Sequence, residues 1–195
     1  MKHITFYLDF VSPYAWLAYE RLPDALEGLS YSVSYKPVLL GALLQQHANP
    51  GPAGIAPKRD WTYRHVTWLG HAQGTPLQMP ARHPFNPLPL LRQALACSDD
   101  GCINRFVAGA LLRHVWQGGN DALDAERLRV LAEQPVLSAC LLLWWTTSCS
   151  GGSMACPCCA RIWRETPGST ARSGMRWRWC HQGWHQPPRV DLLLI

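Results

Sequence analysis

Long apolar runs, a leader-like start and a basic stripe are all missing from this sequence. No stretch approaches the roughly 18 apolar residues that a membrane-spanning helix needs, and Met1-Lys2-His3 leads straight into a strand-like segment that contains Asp9. The net charge of +5 is scattered over 195 residues, without the clustered basic and aromatic residues of a nucleic-acid surface. We therefore expect a cytoplasmic protein with reduced cysteines that binds neither nucleic acid nor membranes.

Cysteine is also missing where the first strand and the first helix join. Residues 2–10 alternate and carry aromatic and β-branched side chains, which predicts a strand, and residues 13–27 have the spacing of a helix. The joint is Ser12-Pro13-Tyr14-Ala15. Because Ser12 and Ala15 carry no sulfur, this pair cannot perform thiol–disulfide exchange. A hydroxyl at a helix N-terminus remains, where unpaired N–H groups and the helix dipole suit a thiolate from another molecule, with glutathione the obvious candidate.

A simpler interpretation of Ser12 stands beside this one. Serine is a favoured N-cap residue and proline is favoured at the first helical position, so Ser12-Pro13 is also an ordinary helix start. Taken alone, the two residues favour this structural role.

The following residues predict a second strand and then helices. Tyr31–Tyr35 alternates, and two strands joined by one helix form a βαβ unit with parallel pairing. Helical spacing recurs in five later segments, which are Leu39–Gln46, Lys58–Ala72, Pro87–Ala96, Ile103–Trp116 and Asp124–Ala132. Trp61 and Trp68 lie on one side of the second of these; core packing is the expected role for both, and contact with an aromatic substrate is the alternative.

The stretch Phe6-Tyr7-Leu8-Asp9-Phe10-Val11-Ser12-Pro13-Tyr14-Ala15-Trp16 closely resembles the opening of the 2-hydroxychromene-2-carboxylate isomerases and kappa-class glutathione transferases. Both use Ser-Pro-Tyr or Ser-Pro-Phe here, and both belong to the DsbA-like branch of thioredoxin folds. The resemblance implies an α/β, thioredoxin-like (DsbA-like) fold with an inserted helical domain. Residues 1–38 would form the βαβ start and residues 39–134 the helical insertion, after which a β-β-α unit must complete the sheet.

Further matches extend the resemblance to residue 134. Pro37-Val38-Leu39-Leu40-Gly41, Asn49-Pro50-Gly51-Pro52, Lys58-Arg59 and Gly74-Thr75-Pro76-Leu77-Gln78-Met79-Pro80 follow the order of the family pattern. By this resemblance Asn49 and Lys58 help to hold glutathione, together with Ser12. An ammonium and an amide can fix the two carboxylates of the tripeptide. Without the resemblance, Lys58 is a solvated helix residue and Asn49 a turn residue before proline.

The composition changes sharply near residue 134. Before it lie eleven of the thirteen acidic residues and all the lysines, whereas six of the eight cysteines and six of the ten tryptophans lie after it. The tail lacks the family's Gly-Val-Pro-Thr-like loop, whose proline follows a cis peptide bond, and its Phe-Trp-Gly-x-Asp-x-Leu stretch. Read two bases later with permissible codons, Met154–Cys158 spells Gly-Val-Pro-Met and Ala171–Cys180 spells Ala-Phe-Trp-Asp-Ala-Leu-Ala-Met-Val. We therefore expect residues 135–195 to be an atypical, irregular tail, largely out of frame, without a cis-proline facing Ser12.

Two other interpretations of the tail remain open. One is a zinc site, although its Cys-x-Cys-Cys spacing is not the usual Cys-x-x-Cys; its ligands would come from Cys156, Cys158, Cys159, Cys180, His181 and His185. The other is a membrane-surface or interaction segment with arginines between tryptophans, which lacks a sustained helical period.

By resemblance, the activity is glutathione-dependent isomerisation of 2-hydroxychromene-2-carboxylate to trans-o-hydroxybenzylidenepyruvate in aromatic-compound degradation, by a homodimer without a metal. The glutathione thiolate would add to the conjugated carbon, opening the ring, and later leave. Ser12 would donate to the sulfur rather than attack, and one such charge-assisted bond is worth about 1.5–3 kcal/mol, or about one to two pKa units. The alternatives are a kappa-like glutathione transferase or peroxidase of unknown acceptor, and an inactive frameshifted product.

Overall fold

A computed structural model of the chain describes residues 1–98 and 100–138 and the backbone of residues 190–193. Its first strand, β1 (Lys2–Leu8), is the middle strand of a sheet ordered β2-β1-β3. The second strand, β2 (Tyr31–Pro37), pairs with it in parallel, from Lys2 opposite Tyr31 to Leu8 opposite Pro37. The predicted βαβ start is therefore confirmed.

Helices account for most of the remaining described chain. They are α1 (Pro13–Ala25), α2 (Leu40–Gln46), α3 (Ala56–Gln73), α4 (Leu88–Ala96), α5 (Arg105–Trp116) and α6 (Ala125–Glu133), with a short 3-10 turn at Pro52–Gly54. Each of the six α-helices begins and ends within two residues of its predicted bounds, because the apolar spacing that predicts it is local. Among the described residues, no helix is long and apolar enough to cross a membrane.

The core is formed mainly by β1, α1, α4 and α5. Leu111, Leu112 and Trp116 of α5 are fully buried, as are Phe6 and Leu8 of β1. Burial of a side chain of this size contributes about 1.5–3 kcal/mol. The approach of α5 to α1 requires glycine at position 109, since a Cβ atom there would overlap the Tyr19 hydroxyl.

One packing prediction, that Trp61 and Trp68 face the core, is wrong. Their side chains are 61% and 63% exposed, and α3 instead buries Thr62, Val66 and Gly70. At Gly70 a Cβ atom would lie 3.2 Å from Leu77 Cβ and 3.9 Å from a Leu17 methyl. Glycine at position 70 thus lets Leu77 lie close to α3, and the two tryptophans are left on another side of the helix.

A short part of the tail joins the sheet. Strand β3 (Val190–Leu193) pairs in parallel with β1, from Ile4 opposite Val190 to Tyr7 opposite Leu193. The two stretches that a frame shift would restore, and the cysteines and histidines of the zinc hypothesis, lie outside the described residues, so the predictions made for them stay predictions. The cis peptide bond found in the described part, His83–Pro84, belongs to the loop between α3 and α4.

Candidate functional site

Ser12 occupies the N-cap position of α1, with Pro13 at the start of the helix. Its side chain accepts no hydrogen bond from the helix, and the residue is only 5% exposed. Proline has no N–H and Ala15 donates its own to the Ser12 carbonyl (3.1 Å), so the Tyr14 N–H finds no acceptor among the described residues. A hydroxyl and an N–H group are therefore unused at the positive end of the helix dipole.

A buried carboxylate holds the turn that leads to Ser12. Asp9 is 2% exposed, and its two oxygens accept hydrogen bonds from the Val11 N–H (2.6 Å) and the Leu40 N–H (2.7 Å). Burial raises the pKa of the Asp9 carboxyl, and the two backbone hydrogen bonds oppose that shift. Asp9 thereby joins the end of β1 to both the turn and the start of α2.

A histidine from a distant loop holds the same turn from its other side. His83 Nε2 lies 2.8 Å from the Val11 carbonyl oxygen. Because a carbonyl only accepts, Nε2 carries the proton, and in the neutral ring Nδ1 accepts from the Tyr63 hydroxyl at 2.8 Å. Burial lowers the pKa of His83, which favours that neutral form, although the bond to Val11 acts in the other direction.

A row of three rings, the outer two of them exposed, lies beside the start of α1. The Tyr14 hydroxyl is 2.8 Å from His65 Nδ1, and burial raises the pKa of Tyr14, so this hydroxyl stays protonated. The His65 ring stacks on Trp61, with centroids 4.6 Å apart, and on Trp68 at 6.1 Å. Trp61, His65 and Trp68 together form what we term the aromatic face of α3.

The other two predicted site residues lie on the surface. Lys58 is exposed in the first turn of α3, without an ion-pair partner among the described residues. It precedes His65 by seven residues, which is two turns or about 10.5 Å along the helix, close to the length of an extended tripeptide. Asn49 is exposed in the preceding loop, where its side-chain oxygen accepts from the Gly51 N–H at 2.9 Å. Within the described part, no hydrogen bond joins Ser12, Asn49 and Lys58 directly.

A separate cavity of about 340 Å3 lies at the far end of α3 and is lined by residues of the stretch Thr67–Gln78. None of Ser12, Asn49 and Lys58 lines it. The candidate site at the N-terminus of α1 is therefore separate from this cavity.

Sequence reasoning did not assign roles to Asp9, Tyr63 and His83. The role of Asp9 could have been found from the sequence, since an acid at the end of an otherwise apolar strand predicts a buried hydrogen-bonded group. No local sequence pattern indicates the role of His83, because its contact with Val11 spans 72 residues. Among the described residues, no group of three or more His, Cys, Asp or Glu side chains could hold a metal ion.

Comparison with known proteins first defines the class. A family model described as DSBA-like thioredoxin domain matches residues 3–139, and the chain belongs to this family. The predicted thioredoxin-like, DsbA-like fold is thus confirmed.

Within this class the chain is similar to isomerases. It is 27% identical to "2-hydroxychromene-2-carboxylate isomerase" from Sphingobium xenophagum over 161 residues, 77% of this chain and 76% of the relative. A solved structure of a 2-hydroxychromene-2-carboxylate isomerase (HCCA isomerase) has a TM-score of 0.54 and 19% identity, with 83% of this chain and 76% of that chain covered. Both relatives are enzymes, and the predicted resemblance to this isomerase family is confirmed.

Proposed function

We propose that this chain is a glutathione-dependent isomerase that converts 2-hydroxychromene-2-carboxylate to trans-o-hydroxybenzylidenepyruvate. The observation that carries the proposal is the state of Ser12, whose hydroxyl is held at the N-terminus of α1 and is not used as a cap. The similarity to the Sphingobium xenophagum isomerase supports the reaction class and the substrate.

The residues near Ser12 suit glutathione. The Ser12 hydroxyl and the Tyr14 N–H can both donate to a sulfur anion, and the dipole of α1 favours negative charge at the same point. Lys58 can pair with a glutathione carboxylate and the Asn49 amide can donate to one. When bound, glutathione supplies a thiolate that can add to a conjugated carbon and leave again.

In this account Ser12 keeps its proton and donates it to a hydrogen bond. One charge-assisted bond of this kind contributes about 1.5–3 kcal/mol, which lowers a thiol pKa by about one to two units. The aromatic face of α3 offers the exposed rings of Trp61 and Trp68 to a planar substrate next to this point. We propose that the substrate binds against these rings.

The direct test follows isomerisation of the chromene carboxylate by absorbance, with the full chain, in the presence and absence of glutathione. We expect turnover only with glutathione, and we expect S-methylglutathione to give none because it lacks a free thiol. Ser12→Ala should slow the reaction about 10- to 100-fold, whereas Ser30→Ala, at an exposed serine, should leave it unchanged. Equal rates with and without glutathione would contradict the proposal.

A kappa-like glutathione transferase or peroxidase with an unknown acceptor would use the same groups. It predicts the same lowered thiol pKa but no isomerisation of the chromene carboxylate. A panel of electrophiles and peroxides, assayed for consumption of glutathione, separates this function from the proposed one.

A third candidate, an inactive out-of-frame product, is supported by a different observation. The composition changes near residue 134, and the family model ends its match at residue 139. Resequencing of the gene and the intact mass of the native protein test this directly. If the frame is shifted, a frame-restored protein should bind glutathione and the present chain should bind it weakly or not at all.

A further inference from the structure

We propose that His83 is a positioning residue for the Ser12 site, because its hydrogen bond to the Val11 carbonyl fixes the turn that presents the serine hydroxyl. The inference rests on the proposed function only in taking Ser12 as the group beside the thiolate.

The geometry of Val11 is the first step. Its N–H donates to Asp9 at 2.6 Å and its carbonyl accepts from His83 at 2.8 Å, so both of its backbone polar groups are held by side chains. The Val11 carbonyl shares a planar peptide unit with the Ser12 nitrogen. A partner that fixes this carbonyl therefore fixes the plane from which the Ser12 side chain starts.

His83 is itself held in the orientation that the bond requires. The Tyr63 hydroxyl lies 2.8 Å from Nδ1, and the rings of Trp116 and Phe85 lie beside the imidazole with centroids 5.6 and 6.2 Å away. A chain of donors thus runs from Tyr63 of α3 through His83 to Val11, and linked hydrogen bonds of this kind strengthen one another. The orientation of the turn then depends on α3 as well as on β1.

A second histidine provides a matched control. His114 is also half-buried, and its Nε2 lies 3.0 Å from the Ala122 carbonyl oxygen. That bond joins α5 to the segment before α6 and does not involve the Ser12 turn. Both histidines should stabilise the fold, but only His83 should influence a group at position 12.

The test uses a reporter that does not need glutathione. In the full chain, Ser12→Cys places a thiol at the helix N-terminus, where its pKa should fall below that of a free thiol. The pKa is measured from the pH dependence of alkylation, and peptide mass spectrometry distinguishes the introduced thiol from the natural cysteines. In this background we expect His83→Leu to raise the pKa by about half a unit to one unit, which slows alkylation near neutral pH about three- to tenfold.

The comparison variants decide between positioning and simple stabilisation. His83→Gln, whose amide can still donate to the Val11 carbonyl, should restore most of the lowered pKa. His114→Leu should lower the melting temperature and leave the pKa of the introduced thiol unchanged. An unchanged pKa in His83→Leu, or an equal shift in His114→Leu, would overturn the proposal.

If His83→Leu does not fold, Tyr63→Phe takes its place. It keeps the imidazole and removes the donor to Nδ1, so a smaller shift in the same direction is expected, and no shift overturns the proposal. The proposed function is tested separately, by glutathione binding and turnover in the chain without substitutions. If that chain neither binds nor uses glutathione, the proposed function fails, but the pKa of the introduced thiol still tests the role of His83.

Discussion

Helices α5 and α6 begin differently from α1, although all three have a good N-capping residue. Asn104 accepts from the Val107 N–H at 2.9 Å, and Asp124 accepts from the Arg127 N–H at 2.9 Å. Ser12 makes no such bond. The same class of residue therefore closes two helices by capping and leaves a hydroxyl unused at the third.

The stabilisation of the α1 start comes from the preceding residue instead. Asp9 and His83 hold Val11, whereas the capping side chains of α5 and α6 bond to their own first turns. This division of roles leaves the Ser12 hydroxyl available to a ligand. It also predicts that mutations at the three N-termini have different effects on stability and on ligand binding.

The largest expected effect on stability comes from the buried carboxylate that holds the turn. Asp9→Ala should lower the free energy of unfolding by about 2–4 kcal/mol, because the N–H groups of Val11 and Leu40 lose their acceptor. Urea denaturation measures this. Asp60→Ala, at an exposed acid of α3, is the control and should change stability by less than about 0.5 kcal/mol. A loss below about 1 kcal/mol for Asp9→Ala would contradict its role in the turn.

The capping residues themselves should give intermediate effects. Asn104→Ala and Asp124→Ala should each lower the free energy of unfolding by about 1 kcal/mol, as expected for a lost N-cap bond. Ser12→Ala should lower it by less than about 0.5 kcal/mol, since its hydroxyl caps nothing. If Ser12→Ala destabilises the chain as much as Asn104→Ala, the Ser12 hydroxyl acts as a cap and the difference between α1 and α5 is contradicted.

The smallest expected effect is a dependence of stability on pH. Burial lowers the pKa of His83 and of His114, so the unfolded chain binds protons more readily than the folded one as the pH falls below about 6.5. The free energy of unfolding should therefore fall below that pH and be insensitive to these groups above it. His83→Gln and His114→Gln should each flatten the slope. If the free energy of unfolding still falls below about pH 6.5 in the variant that carries both substitutions, groups other than these two histidines cause the dependence.

Asp9 should contribute with the opposite sign. Its pKa is raised by burial, so the folded state holds the proton more tightly and stability declines as the pH rises from about 4, the ordinary value for aspartate, through the raised pKa. In Asp9→Asn this decline should be absent. Denaturation curves recorded across the acid range distinguish the two slopes.

Local features of the fold were predictable from the sequence, and contacts between distant residues were not. The bounds of β1, α1 and β2 follow from alternation and helical spacing within each segment. Two strands joined by one helix then required parallel pairing, which the structure shows. The bond from His83 to Val11 spans 72 residues, so no local pattern reports it.

The tryptophans of α3 show a second limit of local patterns. Trp61 and Trp68 share a helix side with spacing that suits a buried stripe, yet the buried residues of α3 are Thr62, Val66 and Gly70. Hydrophobicity favours the tryptophan side, but the close approach of Leu77 requires a small residue at position 70. The neighbours of a helix thus decided which of its sides is buried.

The central claim is that the Ser12 hydroxyl stabilises a thiolate that the protein binds. Its most direct test is an absorbance titration of the glutathione thiolate bound to the full chain, compared with the same titration of Ser12→Ala. We predict that the thiol pKa in the unaltered chain lies about one to two units below that in Ser12→Ala. Identical pKa values in the two proteins would show that Ser12 only begins a helix, and would contradict the account.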